Sequence, residues 1–379
     1  MDQAPNQAPG QAALDDRVAE PLRQVRERID SIDLEILRLI GERARCAQEV
    51  GRIKSRAGGA AEDVRFYRPE REAEVLRRIK GQNPGPLDSE EVARLFREIM
   101  SACLALEQPL KVAYLGPEGT FTQAAAIKQF GHSVRATALP SIGDIFREVE
   151  AGACDFGVVP VENSTEGVIS HTLDLFMSSA LMIAGEVSLR IHHHLMSQGS
   201  DLQSIRTLYS HQQSLAQCRG WLDRHLPQAE RVAVGSNAEA ARLAAQGPGS
   251  AAVAGIQAAE IYGLKVLAER IEDDPGNTTR FLVIGPKDSA QSGQDKTSLL
   301  LSCRNESGGL HALLTPLAAY RISMTRIESR PSRRGIWDYV FFIDILGHRD
   351  EPKVAAALAH LEREASLFKV LGSYPVAVL

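Results

Sequence analysis

The 379-residue sequence is 44% hydrophobic and 24% charged with a net charge of −5, the composition of a soluble globular protein long enough for two or three domains. That balance argues against general binding to nucleic acid or membranes, and leaves room for local cationic pockets that hold small anions. Five scattered cysteines (Cys46, Cys103, Cys154, Cys218, Cys303), without a CxxC pair or companion histidines, read as reduced thiols of a cytoplasmic protein, and no apolar run reaches membrane-span length.

In chain order, residues 1–19 are rich in Gln, Ala, Pro and Asp and read as a disordered tail. Two composition shifts then divide the chain into 20–108, 110–286 and 297–379; the second, from Gly285 to Thr297, reads as a flexible connection. In the first segment Val25, Ile29, Ile32, Ile36, Leu39, Arg43, Cys46, Val50 and Ile53 recur at spacings of four and three, a coiled-coil-like helix seam over residues 22–56. A Gly58-Gly59 loop follows. Pro69 suits the first turn of a second helix, and Asp88 or Ser89 caps a third, with Asp88 and Glu91 spaced as a capping box. A cation on a seam is most often a register device or a snorkelling side chain. Lys54 lies eleven residues after Arg43, on nearly the same face and roughly 16 Å along, so both can reach one anion. Arg26 lies about 26 Å from Arg43 and about 100° around the axis, so it reaches that ligand only from another subunit.

The second segment alternates strand and helix. Lys111 to Leu115 is a strand followed by Gly116-Pro117-Glu118-Gly119-Thr120-Phe121 and an Ala-rich helix, whose free N–H groups can meet an anion. Further strands are expected at 134–139 and 156–161, alternation over 181–195, and strands at 207–209, 231–234, 251–254 and 281–284. The apolar run Gly157 to Val161 breaks into Glu162-Asn163-Ser164-Thr165, where an open α/β sheet binds its ligands. Two α/β lobes facing one another would place that cluster and Asn277-Thr278-Thr279-Arg280 around one cleft. His192-His193-His194 in a strand cannot converge on one metal ion, so a structural or surface role is expected. The third segment reads strand 298–303, helix 310–320, strand 323–328, strand 338–346, helix 354–367, strand 370–374, the βαββαβ order of an α+β ferredoxin-like domain.

Three resemblances attach to these residues. Arg26, Gly41-Glu42-Arg43, Val50-Gly51-Arg52-Ile53-Lys54 and Arg71-Glu72 make the all-α, three-helix segment over 20–108 resemble the all-helical class of chorismate mutase. The resemblance implies intertwined subunits, with Arg26 from the partner, Arg43 and Arg71 or Lys54 holding the carboxylates and ether oxygen of chorismate, and Glu72 accepting the ring hydroxyl. It also implies departures: Cys103 where a serine is common, Arg68 for an aspartate, and Glu107 for a glutamine that donates to the ether oxygen. A carboxylate must carry a proton to donate, so mutase activity is expected to rise as pH falls, and Glu107→Gln to flatten the profile; an unchanged profile in that variant would remove the idea.

The second segment closely resembles prephenate dehydratase, a two-lobed α/β domain like periplasmic binding proteins, through Gly116 to Phe121, Val158 to Ser164, Ser210-His211-Gln212-Gln213 with Gln217-Cys218, and Thr279-Arg280-Phe281. This implies Thr279 as the essential hydroxyl, read as a hydrogen-bond donor to the leaving oxygen, with Asn163, Ser164, Gln217 and Arg280 near the substrate and Thr120 and Glu162 also among the candidates. Arg280 either anchors the pyruvyl carboxylate or pairs with an acid such as Glu162 and holds the lobe together.

The third segment resembles the ACT regulatory domain, through Asn305, Gly308-Gly309-Leu310 and Glu328-Ser329-Arg330-Pro331. The implied role is binding L-phenylalanine at a subunit interface to inhibit the upstream site; His311 stands where an apolar residue is usual, and Gly309 where alanine is. No cofactor or metal is implied. The chain therefore reads as an enzyme, at least dimeric, converting chorismate to prephenate and prephenate to phenylpyruvate. The rival readings are a dehydratase with a degenerate mutase segment, an arogenate dehydratase, and a non-catalytic two-lobed sensor.

Overall fold

A computed structural model describes residues 16–57, 67–332 and 338–379, which form two compact units, 16–57 and the remainder. Residues 1–15 of the expected tail and the Gly58-Gly59 loop lie outside them. The first unit is the single helix α1 (Asp16–Ala57). It starts earlier than composition suggests: residues 16–19, assigned to the tail, are helical, and Glu20 supports the next turn by pairing with Arg23 at 2.8 Å.

The second unit opens with α2 (Pro69–Gln82) and α3 (Ser89–Glu107), which pack on each other. Asp88 caps α3 by accepting from the Glu90 N–H at 2.8 Å, whereas Glu91 pairs with Arg94 instead of completing the box. Next come β1 (Lys111–Leu115), α4 (Phe121–Phe130), β2 (Arg135–Leu139), α5 (Ile142–Glu150), β3 (Phe156–Asn163), β4 (Gly167–Val168), α6 (Ser170–Phe176) and β5 (Met182–Arg190). The chain then crosses to a second sheet, β6 (His194–Ser197), β7 (Thr207–His211), α7 (Gln212–Gln217), α8 (Arg219–His225), β8 (Glu230–Val234), α9 (Asn237–Ala244), β9 (Ser250–Ala254), α10 (Ile256–Tyr262) and β10 (Lys265–Ala268). It returns to the first sheet as β11 (Thr278–Gly285). The strand orders are β2-β1-β3-β11-β5, with β4 on β3, and β10-β6-β9-β7-β8. Two lobes thus meet at two crossovers, residues 191–193 and 269–277. The alternation expected through 181–195 breaks at the first of these, and β10, which pairs antiparallel to β6, has no counterpart in the sequence expectation.

The third segment is β12 (Asp295–Ser302), α11 (Gly309–Ala319), β13 (Met324–Pro331), β14 (Tyr339–Leu346), α12 (Pro352–Glu364) and β15 (Leu367–Pro375), an antiparallel sheet of order β13-β14-β12-β15 with the expected βαββαβ connectivity. Its connection to the lobes is pinned, contrary to the flexible linker its composition suggests. Ser289 is buried and donates to the Ala184 carbonyl at 2.9 Å, and the Arg77 guanidinium of α2 donates to the Ser292 and Gln294 carbonyls at 2.9 and 2.8 Å. Polar residues here satisfy backbone groups of neighbouring elements rather than solvating a free chain.

One hydrophobic core runs through both the first lobe and this sheet: Val159, Val161, Phe176, Leu282 and Ile284 pack with Leu300, Val340, Phe342, Leu371 and Tyr374. Each fully buried side chain of this size contributes roughly 1.5–3 kcal/mol, so the two parts are welded. Gly372, at φ +154°, lets β15 approach β5; a Cβ there would lie 2.2 Å from the Ile183 carbonyl oxygen.

Candidate active site

Strand pairing decides which of the candidate side chains meet. β11 runs antiparallel to β3 with Thr279 opposite Asn163 and Arg280 opposite Glu162. Alternation puts Thr279 on the face of Phe281 and Val283, towards α4, and Arg280 on the face of Leu282 and Ile284, towards the third segment. On β3 simple alternation from Val159 would send Asn163 to the wrong face. The register shifts between Arg280 and Phe281, whose partner is Pro160, so Val161 is an extra residue that rephases the strand. Pro160 has no N–H for the ladder, which suits the irregularity.

The cluster that results is oriented from the backbone. The Asn163 Oδ1 accepts from the Thr165 and Glu166 N–H groups, both at 3.0 Å, which leaves its amide nitrogen to donate to the Thr279 Oγ1 at 2.7 Å and the Asn277 Oδ1 at 2.8 Å. Asn277 is thereby turned so that its Nδ2 donates to the Gln217 Oε1 at 3.0 Å. That oxygen also meets the His193 Nε2 at 2.9 Å, so Nε2 must carry the proton. Burial lowers the pKa of His193, partly offset by the Gln217 contact, consistent with a neutral ring. Because the Thr279 oxygen is an acceptor from Asn163, its own hydrogen is free to donate, and among the described residues it has no acceptor.

These groups come from both lobes and both crossovers: Asn163 and Thr279 from strand ends of the first lobe, Gln217 from α7, His193 and Asn277 from the crossing segments. The crossings are tied by the Ile271 N–H donating to the His193 carbonyl at 2.8 Å and by Glu272, which accepts from the His193 N–H at 2.9 Å and contacts the His192 Nδ1 at 2.7 Å. Burial opposes ionisation of Glu272, but the histidine contacts outweigh it and hold the carboxyl below its usual range.

The remaining candidates are placed differently. Ser164 clamps the start of β11, its Oγ accepting from the Thr278 N–H at 3.0 Å and its N–H donating to the Thr278 carbonyl at 2.9 Å. Thr120 is the N-cap of α4, its hydroxyl donating to the Leu115 carbonyl at 2.9 Å; only its neighbour Phe121 reaches the cluster, edge-on to His193 at 5.6 Å. Glu162 and Arg280 stand on the opposite face. Glu162 pairs with Arg326 of β13 at 2.8 Å, and Arg280 with Glu186 at 2.9 Å, Asp344 at 2.5 Å and the Tyr374 hydroxyl at 3.0 Å. Neither lies with Thr279, because adjacent strand residues face opposite ways. Arg280 makes ion pairs of the kind expected in the lobe-holding reading, though with Glu186 and Asp344 and not with Glu162. Asn277 and His193 are missing from the sequence-derived set. Asn277 stands within a quoted motif, and His193 is misjudged by treating a crossover as strand.

In the helical part, Arg26, Arg43 and Lys54 lie on α1 beside an apolar stripe that is exposed in the single chain, from Val25 at 56% through Ile36 at 48% to Ile53 at 59%. On α2, Arg71 is exposed and pairs with Glu74 at 3.0 Å. Glu72 is turned inward, facing Arg97 of α3 at 3.1 Å as an ion pair without hydrogen-bond alignment, and burial raises its pKa. Glu72 thus stands beside the face of α2 that carries the buried Ala73 and Leu76, with its side chain 14% exposed. Cys103 is buried on α3, and Glu107 is the last residue of that helix.

In the third segment, β12 and β13 both run antiparallel to β14, with Leu301 and Ser329 both opposite Phe341, so Gly308-Gly309-Leu310-His311 and Glu328-Ser329-Arg330-Pro331 lie at the same end of the sheet. A Cβ on Gly309 would lie 2.6 Å from the Arg304 carbonyl oxygen, a physical reason for glycine there. Arg330 is engaged with α6, with Asp174 at 2.8 Å and Ser170 at 2.5 Å. No group of residues that could hold a metal ion is found among the described residues, and no helix of theirs is long and apolar enough to cross a membrane.

Three family models match in succession: chorismate mutase type II over residues 25–108, prephenate dehydratase over 112–289 and the ACT domain over 297–363. A bifunctional chorismate mutase/prephenate dehydratase of Stutzerimonas stutzeri is 59% identical over 362 residues, covering 95% of this chain and 99% of the relative. The solved prephenate dehydratase of Arthrobacter aurescens, in complex with L-Phe, is 34% identical with TM-score 0.65 over 70% of this chain and 90% of its own. The solved GqqA, described as a novel type of quorum quenching acylase, also has TM-score 0.65, at 28% identity over 71% of this chain and 98% of its own, so the shared lobes alone do not fix an activity. With the three matched segments in one order and the full-length relative at that identity, the chain belongs to the family of bifunctional chorismate mutase/prephenate dehydratases.

Proposed function

We propose that the chain catalyses two consecutive reactions, the rearrangement of chorismate to prephenate and the conversion of prephenate to phenylpyruvate, and that L-phenylalanine bound by the ACT domain inhibits the second. The observation that carries the dehydratase reading is the Asn163 to Thr279 hydrogen bond, which the threonine oxygen accepts and which leaves its hydroxyl hydrogen available to donate. In prephenate the ring carboxylate leaves as CO₂, its bonding pair moves into the ring as the C4–O bond breaks, and one proton converts the departing hydroxide to water. Thr279 stabilises that oxygen as its charge grows; Asn163 fixes Thr279, and Asn277, Gln217 and neutral His193 fix Asn163. Glu162, Arg280 and Thr120 are left out of substrate binding on this reading, and Ser164 acts by holding β11.

The rearrangement is pericyclic and needs confinement and cations rather than a nucleophile. Arg43 and Lys54 on one face of α1, together with Arg71, serve as anchors for the carboxylates and ether oxygen, with Arg26 supplied by a second copy and Cys103 and Glu107 as candidates on α3. The exposed stripe of α1 supports an assembly of at least two chains. The test is phenylpyruvate formation by the purified protein from chorismate and, separately, from prephenate, with and without L-phenylalanine. Product from both, suppressed by phenylalanine, is the expected result. Product from prephenate alone would mean a silent mutase, and product from neither, once arogenate had also failed, would favour a sensor.

A further inference from the structure

The catalytic pair and the ion pairs behind it occupy consecutive residues of the same two strands. Thr279 and Asn163 face the cleft; Arg280 and Glu162, one residue away on each strand, face the ACT sheet. There the Arg280 guanidinium is 15% exposed and shared by Glu186, Asp344 and Tyr374, and Lys296 of β12 adds a second contact to Glu186 at 2.7 Å. Asp344 is itself held by Ser298, whose hydroxyl donates to its Oδ1 at 2.5 Å. Glu162 is held by Arg326, at 12% exposure, with the Arg326 Nη2 buried and unpartnered. The extra residue of β3 falls at Val161, between Pro160 and Glu162, so the segment that turns Asn163 towards Thr279 is the one the ACT sheet grips.

We propose that Asp344 and Arg326 of the ACT domain are positioning residues of the dehydratase: by holding Arg280 and Glu162 they fix the strand ends that present Thr279 and Asn163, and a shift of the ACT sheet reaches the cleft through a single strand position. This rests on the dehydratase reading above. It makes the site incomplete without the regulatory domain and supplies the route by which an effector there alters turnover. Asp344→Asn removes one of the two carboxylates on the Arg280 guanidinium, and Arg326→Gln leaves Glu162, 36% exposed, without its cation, so the two neutral variants probe the two contacts separately.

The experiment compares Asp344→Asn, Arg326→Gln and the conservative Asp344→Glu in the full chain. Dehydratase kcat and KM, half-inhibition by L-phenylalanine, chorismate mutase activity and thermal unfolding are all read. The expected result is a fall in dehydratase kcat of about ten-fold or more with KM within about two-fold, weaker inhibition by phenylalanine, unchanged mutase activity, and recovery of most of the kcat in Asp344→Glu. Should Asp344→Asn fail to fold, Arg326→Gln decides by the same readouts. Unaltered kcat and phenylalanine response in folded variants would overturn the inference. So would a loss in which KM and kcat move together and mutase activity falls with the unfolding temperature, as for mere destabilisation. An unsubstituted protein inactive on prephenate would instead remove the dehydratase reading itself.

Discussion

The dehydratase cleft and helix α1 make their sites in opposite ways. Around Thr279, itself 9% exposed, side chains from two lobes are hydrogen-bonded to one another, and the orientation of each amide follows from two backbone N–H groups. On α1 the cations sit beside an apolar stripe that stays open in the single chain. A site built at crossovers between two lobes gathers positions far apart in sequence, because the crossings bring them together. The candidate cations of α1, by contrast, all stand on one rod, where positions eleven or seventeen residues apart are about 16 and 26 Å from one another.

The sharpest way to break this comparison is to remove the donor. Thr279→Val keeps shape and loses the hydroxyl, and is expected to lower dehydratase kcat by on the order of 10²–10³-fold with little change in mutase activity. A variant retaining normal prephenate turnover would show that Thr279 is not the leaving-group donor. The helical half is probed by mixing. Arg26→Ala and Arg43→Ala should each abolish most mutase activity, and refolding the two together should restore about a quarter of it if each site takes Arg26 from the partner, since half the dimers are mixed and each mixed dimer has one intact site. No recovery on mixing would place both arginines in one chain's site.

A smaller effect tests the amide relay. Asn277→Asp sets a carboxylate against the Gln217 Oε1 and is expected to reduce dehydratase kcat by about ten-fold, as Gln217 and Asn163 turn; steady-state kinetics on prephenate would check it. The smallest is a pH effect. Burial holds the His193 pKa below its unfolded value near 6.5, so its neutral form favours the fold fully above about pH 6.5, and stability declines as pH falls from there through the folded value. His193→Gln keeps a side-chain N–H donor and should flatten this slope in thermal melts; an equal slope would assign it to another group.

Part of the site was legible because polar clusters at Glu162 to Thr165 and Asn277 to Arg280 adjoin apolar strands, whereas Gln217 and the role of Thr279 came from the resemblance to prephenate dehydratase. Arg280 and Glu162 misled because they sit beside those residues in sequence, and nearness along a strand means opposite faces. Arg71 and Glu72 likewise part company on α2, the first exposed and the second turned towards Arg97. His193 was hidden by a strand assignment through a crossover, and the Gly285 to Thr297 connection by a composition that reads as linker although its polar groups are spent on neighbouring backbone.

The sequence by itself determined many of the longer helices and strands, the βαββαβ order of the third segment and the polar clusters, because hydrophobic periodicity and caps are local properties of the chain. Tertiary structure alone decided which face each side chain took. The extra residue at Val161 reverses the alternation of β3, and strand register and packing against the ACT sheet fix that reversal through contacts far apart in the chain.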